Sequence, residues 1–245
     1  MPTTWSDLQA VVFDYGSTLI QFNKPLILEC DRQLTEILQL IYGHADAERI
    51  RTVRNRNRTA PYSGEFRENN IASMCRELVL ALYDRQPTPE ELARLLHVRY
   101  SSLVEQIEAE PYVADVLRSI RRHHKVALLS NYPDPAAIRD SLHRTGLYDC
   151  FDAIVVSGEV GHVKPHPLPF HTLLVRLGVE PGQAVYIGDN WLGDIQGAKR
   201  IGMRAIHSTQ WDTPEHFEPQ PDDFQPDATI RHLTELVEMF ASNHH

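Results

Sequence analysis

The sequence predicts an α/β protein, a doubly wound parallel sheet of Rossmann-like type, with a small all-helical domain inserted after the first strand. Three observations lead there. Short apolar runs of strand length recur along the chain, and each ends in polar or glycine-containing residues followed by helical patterning. The alternation breaks from about residue 24 to 110, where long helical patterns dominate and strand-like runs disappear.

The first run, AVVFD at 10–14, ends on an acid and leads into Gly16, Ser17 and Thr18. It reads as a buried strand delivering Asp14 to a loop at its C-terminal end, where open parallel sheets bind ligands. VALLS at 126–130, AIVV at 153–156 and AVYIG at 184–188 repeat the design, and MRAI at 203–206 is a fifth strand. PAAIRDSLHRTG (135–146) and LPFHTLLVRLG (168–178) place apolar residues at helical spacing and end at Gly146 and Gly178, where a glycine closes a last turn. The interrupting segment holds PLILECDRQLTEILQLIYG, NIASMCRELVLALY and PEELARLLHVRYSSLVEQIEA. Residues 1–23 and 111–245 are therefore expected to form the core domain and 24–110 the helical one. TPEHFEPQPDDFQPDA (213–228), rich in proline and acid, is expected to be an irregular surface stretch, with a last helix at 231–241.

At 245 residues and 42% hydrophobic, the chain can bury one good core and a smaller second one. MPTTWSDLQ carries no basic start followed by an apolar stretch, and no window approaches about 18 uninterrupted apolar residues, so a cytoplasmic protein without a membrane partner is expected. Cys30, Cys75 and Cys150 are odd in number and form no C-x-x-C pair, which suggests buried thiols. A formal charge of −9 argues against nucleic acid as a partner. A monomer or homodimer fits this composition.

RIRTVRNRNR (49–58) departs from that acidic average. At 100° per residue, Arg51, Arg54 and Arg58 share one side of a helix while Arg49 and Arg56 fall on another. A solvated helix face is the plain reading. The sharper one makes Arg51 and Arg54, with Arg56 and Arg58, candidates for binding an anionic substrate group.

Four polar signals stand at or just beyond strand ends: Asp14, Gly16, Ser17 and Thr18 in FDYGST; Ser130 and Asn131 in LLSNY; Lys164 in VGHVKPHP; Asp189 and Asp194 in YIGDNWLGD. Each alone is an ordinary turn or helix-start feature. In this order on successive β-α units they converge on one place. The ordered set resembles the haloacid dehalogenase-like hydrolases, with an aspartate loop, a Ser/Thr, a Lys and a final acidic pair. The resemblance spans about 9–23 and 111–208, and the insertion looks like the helical cap of subfamily I.

That resemblance implies a Mg2+-dependent hydrolase of phosphorylated small molecules in which Asp14 becomes a phospho-aspartate. Asp14, Asp189, Asp194 and the Gly16 carbonyl would hold the metal, and Ser130 and Lys164 would serve catalysis. Gly16, Ser17, Thr18 and Asn131 would bind substrate. The chemistry is consistent: a carboxylate attacks a phosphate dianion only near positive charge, and clustered carboxylates form the hard oxygen set Mg2+ accepts.

One departure matters. Most phosphatases of this superfamily carry a second Asp two residues after the nucleophile, and here that residue is Gly16. Its loss weakens general acid–base catalysis by about 10²–10⁴-fold unless something replaces it. The preferred reading is a substrate with a good leaving group; the others are a substitute proton shuttle, such as Tyr15, His162 or a cap residue, and a non-catalytic protein that binds a phosphorylated ligand. Carbon–halogen cleavage, the 2-haloacid dehalogenase alternative, needs no acid there, but the Asp189–Asp194 pair argues against it. His123, His124, His162, His166, His171 and His207 show no metal-binding spacing and are expected in loops or at the surface. His244 and His245 read as a tail, and Trp191 as a pocket rim or a packing residue.

Overall fold

The computed structural model describes residues 5–22, 24–211 and 219–241. Its sheet has six parallel strands in the order β3-β2-β1-β4-β5-β6: β1 Ala10–Phe13, β2 Lys125–Ser130, β3 Ala153–Val156, β4 Ala184–Gly188, β5 Arg204–Ser208 and β6 Ala228–Ile230. Strand order reverses around β1, which pairs with β2 on one side and β4 on the other, Phe13 lying beside both Leu128 and Ile187. The loops that follow β1, β2 and β4 therefore open at one crevice, the position where such sheets take ligands.

Alternation along the strands divides the apolar residues between two layers. Val11, Phe13, Val126, Leu128, Val185 and Ile187 face helices α5 (Pro111–Arg121), α6 (Pro135–Arg144) and α10 (Glu235–Ala241). Val12, Ala127, Leu129 and Tyr186 face α8 (Pro167–Leu177) and α9 (Gly197–Arg200). A short helix α7, Ser157–Val160, follows β3.

Between β1 and α5 the described residues form four further α-helices: α1 Lys24–Tyr42, α2 Ala47–Thr59, α3 Ile71–Tyr83 and α4 Pro89–Gln106. Their starts are chemically marked. Asp46 accepts from the amides of Glu48 and Arg49 ahead of α2, and Thr88 and Glu91 form a reciprocal capping box on α4. These helices share a buried cluster including Leu34, Leu38, Ile50, Val53, Leu78 and Leu95. Burying each such leucine contributes about 1.5–3 kcal/mol. Leu103 and Ile107, at the end of α4, instead join the cluster of the sheet and fasten the helical layer to it.

Two expectations change. The stretch at 213–228 ends in a sixth strand, since Ala228 begins β6 against β5. Asp227 secures this edge by accepting from Lys199 and from the Ala205 amide. The closing helix begins at Glu235, later than residue 231. His244 and His245, and residues 213–218 of the acidic stretch, lie outside the described residues. Among the described residues no helix is long and apolar enough to cross a membrane.

Candidate active site

Asp14 follows β1 directly, and its amide donates to the Ile187 carbonyl at 2.9 Å, which fixes it against the neighbouring strand. The chain then turns sharply through Ser17, whose φ of 55° lies in the left-handed region. Lys164 reaches in from the loop after α7. Its ammonium, almost wholly buried, donates to Asp14 Oδ1 at 2.6 Å, Asp194 Oδ1 at 2.7 Å, the Tyr186 hydroxyl at 2.7 Å and the Leu129 carbonyl at 3.1 Å. Asp194 is held from its other side by the Asn190 amide, 3.0 Å from Oδ2.

Asp14, Asp189 and Asp194 are all buried, and one oxygen of each lies within 4.8 Å of those of the other two. Burial pushes the Asp14 carboxyl up to about 6, with Asp194 adding to the rise and Lys164 opposing it. Burial works against the Lys164 charge, but Asp14 and Asp194 outweigh it and hold the ammonium above its ordinary range. Three carboxylates against one ammonium leave an excess of negative charge in a buried place. A hard dication suits that donor set.

The loops between these groups are tied together. Asn131 Oδ1 accepts from the Lys164 amide at 2.8 Å and Nδ2 donates to the Lys164 carbonyl at 3.1 Å, so this side chain pins the lysine segment. Thr18 donates to Asp189 Oδ1 at 3.2 Å, and His207 Nε2 meets the Asp189 carbonyl at 3.1 Å. The helical layer takes part as well. Tyr62 accepts from Asn131 at 3.3 Å, Val163 donates to the Phe66 carbonyl at 2.8 Å, and Ser157 donates to Glu68.

A cavity of about 310 Å³ opens above the carboxylates, between the strand ends and the helical layer. Asp14, Gly16, Ser17, Ser130, Asn131, Lys164, Asp189 and Asp194 all line it. Thr18 does not; it is fully buried behind Asp189 and positions that residue. Arg54 and Arg58 line the cavity, whereas Arg51 is exposed and outside the lining, because α2 turns a narrower face inward than its arginine stripe suggested.

The two named proton-shuttle candidates point elsewhere. The Tyr15 hydroxyl bonds Ser141 of α6 at 2.9 Å, and burial pushes its pKa up to about 12. His162 stacks on His166 and is not part of the lining. Trp191 is a packing residue: it donates to Asp223 at 2.8 Å and sets its ring edge against His207. Of the cysteines, Cys75 and Cys150 are buried, while Cys30 is only partly so and lines the cavity. Tyr186, Tyr62, Glu68 and Arg99 were not singled out from sequence. Tyr186 alone left a trace there, as a polar-tipped ring within an otherwise apolar strand.

Fold and site together define a Rossmann-like α/β protein in which a carboxylate cluster clasps a lysine at the switch point of the sheet. Residues 8–202 match the haloacid dehalogenase-like hydrolase family, and the chain belongs to that family of hydrolases. Over 212 residues it is 29% identical to the glyceraldehyde 3-phosphate phosphatase of Methanopyrus kandleri, covering 72% of this chain and 91% of that one. Over 115 residues it is 38% identical to the phosphoserine phosphatase of Thermus thermophilus, spanning only 45% of that relative and 47% of this chain. Among solved structures, a 2-haloacid dehalogenase from Pseudomonas syringae superposes with a TM-score of 0.73 at 25% identity, over 96% of this chain and 99% of the other. A HAD phosphatase from Thermococcus onnurineus gives 0.68 at 26%, over 95% and 97%.

Proposed function

We propose that the chain is a Mg2+-dependent phosphatase acting on small phosphorylated molecules, with Asp14 as nucleophile and residues 24–110 as a cap that closes over the substrate. The observation that carries this is the convergence of Asp14, Asp189 and Asp194 around Lys164 on the floor of one cavity. The phosphatase names of the sequence relatives support it.

Asp14, Asp189, Asp194 and the Gly16 carbonyl would hold the metal, which when bound offsets the charge of the carboxylates and of the phosphate. A carboxylate oxygen of Asp14 attacks phosphorus as the bond to the leaving oxygen breaks, giving an aspartyl phosphate and the leaving group as its oxyanion, which takes a proton from solvent. Water then attacks the same phosphorus, the bond to Asp14 breaks, and orthophosphate leaves. Lys164 fixes Asp14 and supplies positive charge throughout; Ser130, Ser17 and the loop amides receive phosphate oxygens. Gly16 offers no acid to the leaving group, and neither Tyr15 nor His162 replaces it. The reading therefore favours substrates whose leaving group needs little protonation.

A second reading, 2-haloacid dehalogenation, draws on the same missing acid and on the superposition with the Pseudomonas syringae enzyme. A panel of sugar, acyl and aryl phosphates with Mg2+ and with EDTA, run beside 2-haloacids, separates the two. Phosphate release that EDTA stops supports the proposal. Halide release that persists in EDTA replaces it, and tight binding of a phosphorylated ligand without turnover would make the chain a binding protein.

A further inference from the structure

The walls of the cavity contrast with its floor. Ile20, Phe22, Ile27, Leu34, Leu103 and Ile138 give it an apolar middle. Two guanidinium groups intrude into that apolar wall, Arg54 from α2 and Arg99 from α4. Arg54 meets Asp31 of α1. The Nε of Arg99 is buried and has no hydrogen-bond acceptor among the described residues. A buried donor on a charged group is costly to leave unmatched, and a cavity beside it invites a ligand that supplies the acceptor.

We propose that Arg54 and Arg99 form a second anion site on the helical wall of the cavity, and that it receives a carboxylate carried by the substrate. Arg54, Arg58 and Arg99 set against Asp31 and Glu68 leave a single net positive charge on this wall, which matches a monoanion. Burial first, with Arg99 and Arg58 beside it, lowers the pKa of Arg54 to about 10, so a further anion next to these cations is stabilising. Tyr132 lines the same cavity within electrostatic reach of both guanidinium groups. The substrate class is then a phosphorylated carboxylic acid with an apolar middle, its phosphate on Asp14 and its carboxylate on Arg54 and Arg99. This deepens the phosphatase reading and rests on it.

The test compares three aryl phosphates that differ in one side chain: a propionate, an ethyl group and a second phosphate. Wild type is expected to favour the propionate ester over the ethyl ester by about 10- to 100-fold in kcat/KM, through KM, the range a charge-assisted hydrogen-bond pair supplies. Arg99→Gln should bring that ratio near unity, and Arg99→Lys should restore part of it. Equal KM for the propionate and ethyl esters on wild type overturns the proposal, as does a ratio that survives Arg99→Gln or a preference for the second phosphate. The wild-type comparison decides even if a variant fails to fold. Calorimetric binding of phosphate-free phenylpropionate to wild type and Arg99→Gln separates the two readings. Arg99-dependent binding without hydrolysis of any ester removes the phosphatase reading and keeps the site. Hydrolysis with no effect of the carboxylate on KM or on binding removes the site and keeps the phosphatase.

Discussion

Gly188→Ala tests whether the geometry of the carboxylate cluster depends on one missing methyl group. A Cβ at Gly188 would lie 2.2 Å from Asp194 Oδ2, where Cβ contacts essentially never fall below 3.0 Å, so the carboxylate must retreat by at least about 0.8 Å. That shift disturbs both of its bonds, to Lys164 at 2.7 Å and to the Asn190 amide at 3.0 Å. Deleting one partner of a buried pair costs about 3–5 kcal/mol; here Asp194 is displaced and Lys164 keeps Asp14, so about 2–4 kcal/mol is expected. For a chain of this size that lowers Tm by roughly 4–16 °C. Thermal melts of metal-free protein, with Mg2+ titrations in parallel, measure it. Gly182→Ala is the control, since an added Cβ there meets nothing within 4 Å. If Gly188→Ala melts with wild type and binds Mg2+ equally well, the account of a cluster packed against β4 is wrong.

Gly16→Asp should raise turnover of esters with poor leaving groups by about 10²–10⁴-fold and leave good ones nearly unaffected. The new Cβ fits at 3.4 Å from that of Phe22, so an unfolded variant or an equal effect on both ester classes would count against the reasoning. Asn131→Ala removes the clasp on Lys164 and is expected to cost about 1–3 kcal/mol in a urea melt and to lower kcat more than it raises KM. The pH dependence follows from Asp14, an acid whose pKa rises to about 6 on folding. In metal-free protein its contribution to stability is greatest below its unfolded value near 4 and is lost as pH rises through about 6. Mg2+ needs the ionised form, so the rise in Tm on adding Mg2+ should be larger at about pH 7.5 than at pH 5; equal shifts would mean that Asp14 is not a ligand.

The sheet was legible because its strands are apolar runs of four to six residues with polar ends, and a parallel strand buried on both faces admits little else. β6 escaped because it has three residues, sits at the sheet edge and follows a proline-rich acidic stretch, so neither length nor alternation marks it. The floor of the site was legible for a related reason: its acids and its lysine stand beside strand ends, whose positions the sheet dictates. Its helical wall was not. Arg54, Arg99, Tyr62 and Glu68 come from separate segments, and which face each helix turns inward depends on tertiary packing that periodicity does not encode for a segment as polar as α2. Arg51 shows the consequence, since it shares a stripe with Arg54 and yet lies exposed. Thr18, expected to bind substrate, lies outside the cavity lining and holds Asp189, while Asn131 lines the cavity and its side chain also holds the Lys164 segment.

The central claim is that Asp14 itself takes the phosphoryl group. Mixing the Mg2+-loaded protein with a radiolabelled aryl phosphate, quenching in acid within one turnover and mapping the label by proteolysis tests this directly. The account predicts acid-stable, alkali-labile label on the peptide that contains Asp14, and no label or phosphate release from Asp14→Asn. Phosphate release from wild type without label on that peptide, or undiminished turnover by Asp14→Asn, would contradict it.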